Sequence, residues 1–209
     1  AFFGQTESGD QYVVEPVSDG LLVAVVDGLG HGPKAAKVAK KTVDILQTHI
    51  APFTNGTASV AQTISVVTLL KRCHEGLRGT RGVVMSLAHI NVRHNTMTWL
   101  GIGNVNALLL TPKGGKNPAR EWLLVRGGVV GYHIPTLRPD TLPISPRDVL
   151  VFATDGLRSN FTEALFLDGS PQEIADHVMA RHRRGSDDAL VLVVRYDGHT
   201  ERSVNSGVP

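Results

Sequence analysis

Four acidic positions in this sequence share one local context, and it is a context in which carboxylates do chemistry. Asp10 closes Ser8-Gly9-Asp10 just ahead of an alternating apolar stretch. Asp27 ends Val23-Ala24-Val25-Val26 and is followed by Gly28. Asp155 ends Leu150-Val151-Phe152-Ala153-Thr154 and is followed by Gly156, and Asp187-Asp188 runs straight into Ala189-Leu190-Val191-Leu192-Val193-Val194. An aspartate at the end of a buried strand leaves the core at the sheet edge, and several converging there repel one another and hold their protons more tightly. A divalent cation removes that cost, and an all-oxygen donor set suits Mg²⁺ or Mn²⁺. A glycine after the aspartate lets a backbone carbonyl approach such an ion closely. A lone Asp-Gly is more often only a turn. Two at the ends of hydrophobic strands, with an Asp-Asp before a third, leave a shared metal site and plain turn chemistry both open on pattern alone.

The elements that must position these residues follow from periodicity. Tyr12 to Val17 and Leu21 to Val26 read as strands joined by a tight turn at Ser18-Asp19-Gly20. Pro33 is placed to open a helix, with Ala36, Ala39, Val43, Leu46 and Ile50 at helical spacing and an end expected before Pro52. A second helix is expected after Thr57, with Val60, Ile64, Val67, Leu70, Cys73 and Leu77 on one face. Val83 to Val92, Thr96 to Ile102, Ala107 to Thr111 and Trp122 to Val125 read as successive antiparallel strands. Pro112 to Pro118 reads as an exposed loop, and the prolines of Pro135 to Pro146 predict extended irregular chain. A strand over Asp148 to Ala153, a helix over Pro171 to Arg183 and a last strand over Ala189 to Tyr196 complete the order. Strands, helices, strands, then helix and strand fit two antiparallel sheets face to face with helices outside, in one domain. The polar tail from 198 to 209 is expected to be disordered.

Bulk properties exclude several function classes. No apolar run approaches the ~20 residues of a membrane-spanning helix, and the start does not read as a secretory signal. Position 1 is not Met, so a few native residues are expected to be missing or processed away. One cysteine in 209 residues precludes an internal disulfide and fits a reducing, cytoplasmic setting. A net charge of +2 is too mild for nucleic-acid binding; the basic block Arg181-His182-Arg183-Arg184 reads as a solvated helix end or a docking patch. Cys73 lies on an apolar helical stripe, which marks a buried structural thiol. The His residues lack zinc-site spacing, and Gly127 to Gly131 reads as a mobile connection near the active site.

Taken in order, Ser8-Gly9-Asp10, Val25-Val26-Asp27-Gly28-Leu29-Gly30-His31-Gly32, Gly101-Ile102-Gly103-Asn104, Ala153-Thr154-Asp155-Gly156 and Asp187-Asp188-Ala189-Leu190 resemble the PPM family, the metal-dependent, type 2C-like protein phosphatases. The resemblance runs over nearly the whole chain and is nearest to the small bacterial stressosome phosphatases of sigma-B-type stress signalling. It implies an α+β fold, a four-layer αββα sandwich of two antiparallel sheets flanked by helices, over residues 1–197. It implies a serine/threonine protein phosphatase using two ions, Mn²⁺ or Mg²⁺, to activate a water. Carried over by position, the resemblance implies that Asp27 bridges both ions, the Gly28 carbonyl binds one, Asp155 and Asp187 complete the coordination of the second ion, and Asp10 contacts metal-bound water. Asp187 is preferred to Asp188 because the family's ligand is the first residue of its pair.

His31 either protonates the leaving oxygen, for which its intrinsic pKa suits it, or orients the turn, since Leu29-Gly30 separate it from Asp-Gly. Lys34 or an arginine such as Arg126 is a candidate to hold phosphate. Asn104 stands where larger relatives commonly have aspartate, which favours two ions over three. The implied partners are phosphorylated regulatory proteins of the STAS type. The competing reading is a catalytically silent PPM-like module that binds phosphoproteins.

Overall fold

The first two strands form because runs rich in valine, Val13-Val14 with Val17 and Val23 with Val25-Val26, flank a tight turn. In the computed structural model, which describes residues 1, 4–57, 63–112 and 118–198, β1 (Asp10–Val17) and β2 (Gly20–Gly28) pair antiparallel from Val17↔Gly20 to Asp10↔Asp27. The turn demands φ +156° at Gly20, where a Cβ would lie 1.8 Å from the Ile90 carbonyl oxygen. Helix α1 (Pro33–Thr54) and helix α2 (Val66–Gly76) follow, then β3 (Val83–Asn91), β4 (Thr96–Ile102), β5 (Asn106–Thr111), β6 (Ala119–Leu123), β7 (Val125–Arg126), β8 (Asp140–Pro143) and β9 (Val149–Ala153). A 3₁₀ turn (Phe161–Ala164), helix α3 (Pro171–His182) and β10 (Val191–Arg195) end the order.

One sheet runs β1-β2-β3-β4-β7 with β8 also on β4; the other runs β10-β9-β5-β6. Their facing sides bury Val23, Val25, Trp99 and Met97 against Ala107, Leu109, Leu150 and Phe152. The outer face of the first sheet buries Leu22, Ala24, Met85 and Leu100 against Leu46, Ile50, Leu70 and Cys73 of α1 and α2. The outer face of the second, through Leu108 and Val151, packs on Val178 of α3 and on Phe161. The result is the four-layer αββα sandwich, with three apolar interfaces between its layers. Among the described residues no helix is long and apolar enough to cross a membrane.

Local expectations differ from the structure in four places. Helix α1 continues through Pro52, because Phe53 packs on the core and its carbonyl accepts the Ser18 N–H at 3.2 Å, tying the last turn down. The second helix starts at Val66, where the Ser65 hydroxyl accepts the Thr68 N–H; residues 58–62, including Val60, lie outside the described set, as do 113–117 and 199–209. The stretch from Ala119 to Arg126 is two strands in different sheets, crossing at Leu124, which is 67% exposed; β7 pairs parallel to β4. Inside the proline-rich segment, Asp140–Pro143 pairs with the far edge of β4. Cys73 is fully buried, and burial pushes its thiol up to about 12, as a structural thiol requires.

Candidate active site

The hairpin β1–β2 places two carboxylates opposite each other, since Asp10 and Asp27 are cross-strand partners at its open end. The Gly28 N–H donates to the Gly9 carbonyl at 3.0 Å, and the Leu29 N–H donates to the Gly82 carbonyl at 3.2 Å. Arg81 completes this turn by donating Nη1–H to the Leu29 carbonyl at 2.7 Å, with the guanidinium over Gly30. Gly28 is obligatory here for packing, because a Cβ would stand 2.4 Å from the Ala35 carbonyl oxygen of α1.

The second sheet contributes from the end of β9. The Thr154 hydroxyl donates to Asp10 Oδ2 at 2.7 Å and accepts the Leu190 N–H at 2.9 Å, so one side chain links β1, β9 and the approach to β10. Beyond it, Asp155 accepts a 2.7 Å bond from Asn104 Nδ2. Gly156 lets the strands cross: a Cβ there would lie 1.8 Å from the Asp188 carbonyl oxygen. The adjacent acids part company. Asp188 turns inward, 3% exposed, and its Oδ2 accepts the Gly9 N–H at 2.7 Å. Asp187 lines a cavity of about 370 Å³ together with Asp27, Asp155, Asn104, Leu29 and Gly127.

Electrostatics follow from this convergence. Burial, then repulsion from Asp10, Asp155, Asp187 and Asp188, pushes Asp27 up to about 8. Asp10 is raised to about 7 chiefly by burial, against the opposing Thr154 hydrogen bond, with Asp188, Asp155 and Asp187 adding repulsion. Buried carboxylates that repel one another are short of positive charge, and their hard oxygen donors fit a divalent cation such as Mg²⁺ or Mn²⁺. Among the described residues no three His, Cys, Asp or Glu side chains close on a common coordination point. The carboxylates share a field, and Asn104 occupies one oxygen of Asp155.

Of the residues singled out from sequence, Asp27, Asp155 and Asp187 share the cavity, with Asp10 behind them beside Asp27. His31 sits exposed on the turn before α1 and is not among the residues lining the cavity. Sequence reasoning missed the roles of Thr154 and Arg81. A hydroxyl ahead of Asp-Gly is a weak signal for the first; nothing local marks an arginine from the α2–β3 connection. The glycine segment at 127–131 is tied down. Val130 bridges to Val83, Val129 and His133 exchange backbone hydrogen bonds, and the Gly131 N–H donates to His74 Nδ1 at 3.0 Å.

Comparison with known proteins gives consistent results. A model of the family described as stage II sporulation protein E (SpoIIE) matches residues 18–197. Phosphoserine phosphatase RsbX of Bacillus subtilis (strain 168) is 25% identical over 111 residues, which are 53% of this chain and 50% of RsbX. The match thus spans about half the length of that curated relative. Among solved structures, a chain of the bacterial stressosome, described as a modular system adapted to control secondary messenger signaling, superposes with TM-score 0.78 at 25% identity, covering 93% of this chain and 95% of that one. RsbX in complex with magnesium shares the fold with TM-score 0.74 at 21% identity, covering 92% and 88%. The PP2C phosphatase domain of Bacillus subtilis SpoIIE does so with TM-score 0.71 at 22% identity, covering 96% and 62%.

Proposed function

Since the chain belongs to the SpoIIE family, a branch of the PPM phosphatases, we propose that it is a metal-dependent serine/threonine protein phosphatase whose catalytic domain spans residues 1–197. The observation that carries this reading is the convergence of Asp10, Asp27, Asp155 and Asp187 from both sheets, with the first two pushed up to about 7 and about 8. Asp27, the Gly28 carbonyl, Asp155 and Asp187 would hold the two ions, Mn²⁺ or Mg²⁺, with Asp10 behind them. When bound, such ions supply charge neutralisation for the phosphoryl oxygens and an activated water.

The chain's own residues prepare that chemistry. Thr154 fixes the rotamer of Asp10, and Asn104 orients Asp155. Arg81 holds the turn that carries Leu29 and Gly30 on the cavity rim. His31, on the same turn, remains a candidate to protonate the leaving serine or threonine oxygen. The relatives named for the stressosome and for phosphoserine hydrolysis support phosphorylated stress-signalling regulators, of STAS type, as substrates.

The test is hydrolysis of p-nitrophenyl phosphate by chelated protein, then with Mn²⁺ or Mg²⁺ restored, beside Asp27→Ala. Activity that returns with metal and is lost in the variant is the expected outcome. Metal-independent activity, or full turnover by Asp27→Ala, would overturn the assignment. Silence toward both the small ester and a phosphorylated STAS-type protein would instead mark a binding module.

A further inference from the structure

The first half of α1 carries Lys34, Lys37, Lys40 and Lys41, all exposed; Lys34, Lys37 and Lys41 recur three and four apart as a basic stripe along the helix, and Lys40, three on from Lys37, widens it. The first turn of the helix holds no acidic residue. Among the described residues none of these lysines forms an ion pair. The chain as a whole is nearly balanced, with 21 basic against 19 acidic residues, so the stripe is a local asymmetry. It also borders a groove. Lys37, Lys40 and Pro33 line one wall, and Glu7, Ser8 and Gln11 line the other. Glu7 is the single acid in that lining and pairs with neither lysine. Both walls grow out of the candidate site: Ser8 and Gln11 flank Gly9-Asp10, and Pro33 opens α1 directly after the turn that begins at Asp27.

The site and this groove have opposite electrostatic character. The cavity is walled by carboxylates that repel anionic peptide, whereas the groove joins two lysines to the positive end of a helix. We propose that this α1 groove docks an acidic segment flanking the phosphorylated residue of the protein substrate, with Lys37 and Lys40 as its contacts. The proposal rests on the protein-phosphatase reading and names the charge class of its partner. Docking there leaves the phosphoryl group to the cavity and draws the negatively charged flanks away from the aspartates. Charge complementarity of this kind sets partner choice and encounter rate.

The deciding experiment is fluorescence anisotropy with two labelled, unphosphorylated serine peptides of equal length, one flanked by Asp and Glu and the other by Lys. Wild-type protein is expected to bind the acidic peptide about fivefold to tenfold more tightly, from the modest sum of exposed charge pairs, and to lose the preference in high salt. Lys37→Glu/Lys40→Glu is expected to reverse the preference toward the lysine peptide while keeping its melting temperature and its Mn²⁺-dependent turnover of p-nitrophenyl phosphate. Equal binding of both peptides by the wild type, or an unchanged preference in the double variant, would overturn the docking surface. Because these peptides carry no phosphate, loss of ester turnover in the wild type would count against the phosphatase reading separately.

Discussion

Asp27 carries a conflict between folding and function. Its carboxyl lies mostly out of water and faces four other aspartates, and both effects raise it from 3.8 to about 8. Asp10 rises from the same value to about 7. A group raised in the fold favours folding while protonated, so that contribution is complete below about pH 4 and is lost as pH climbs through 7 and 8. Metal-free protein is therefore expected to lose thermal stability from pH 5 to about pH 8, and saturating Mn²⁺ to flatten the slope; calorimetry across that range checks both. The same argument gives Asp27→Asn a double effect. It should stabilise metal-free protein at pH 8 by on the order of 1–2 kcal/mol while abolishing Mn²⁺-dependent turnover. A variant that melts lower than wild type under those conditions would show that the repulsion is already relieved within the fold. The aspartates were legible in the sequence because each borders an apolar run, Asp27 and Asp155 at its end and Asp10 and Asp187 ahead of it. Thr154 was less so, since its hydrogen bond reaches Asp10 across 144 positions of chain.

At the scale of elements, Asp-Gly pairs do more than terminate strands. The glycines of Gly28 and Gly156 admit another backbone, from α1 in one case and from the Asp188 segment in the other. Gly156→Ala is thus expected to push Asp187 and Asp188 away from Asp155, costing about 2 kcal/mol or more of stability and most of the turnover. Gly79→Ala, at a glycine whose Cβ meets nothing within 4 Å but whose φ is +75°, controls for backbone strain alone and should keep its activity. Equal losses in the two variants would deny Gly156 its special place. Strands Thr96–Ile102 and Val149–Ala153 and helix Pro171–His182 were readable from period, and the structure adds a Ser170/Glu173 capping box at the helix start. The crossing at Leu124 was not, because Trp122-Leu123-Leu124-Val125 is one unbroken apolar run across the change of sheet. Nor was the pairing of Asp140–Pro143, which rests on the exposed edge of β4 rather than on its own apolar content.

At the scale of the molecule, the sandwich is stable through three apolar interfaces that lie apart from the acidic end, so the site can be electrostatically costly without unfolding the protein. A cation binding only the assembled carboxylates should stabilise the whole chain. The melting temperature is expected to rise with the logarithm of Mn²⁺ concentration, and no rise at saturation would count against convergence. The sandwich was legible from the order of its elements; the preference for Asp187 over Asp188 came from the family resemblance rather than from periodicity, and Asp187 is the one that lines the cavity. The hydrogen bond from Gly9 to Asp188 joins residues 179 positions apart. Contacts of such separation carry the largest loop-closure cost and form late. A chain emerging from the ribosome displays its Asp10–Asp27 hairpin long before Asp155 and Asp187 exist to meet it. On the proposed reading, catalytic competence arrives only with the docking of β10, so a half-folded copy is expected to leave a phosphorylated substrate untouched.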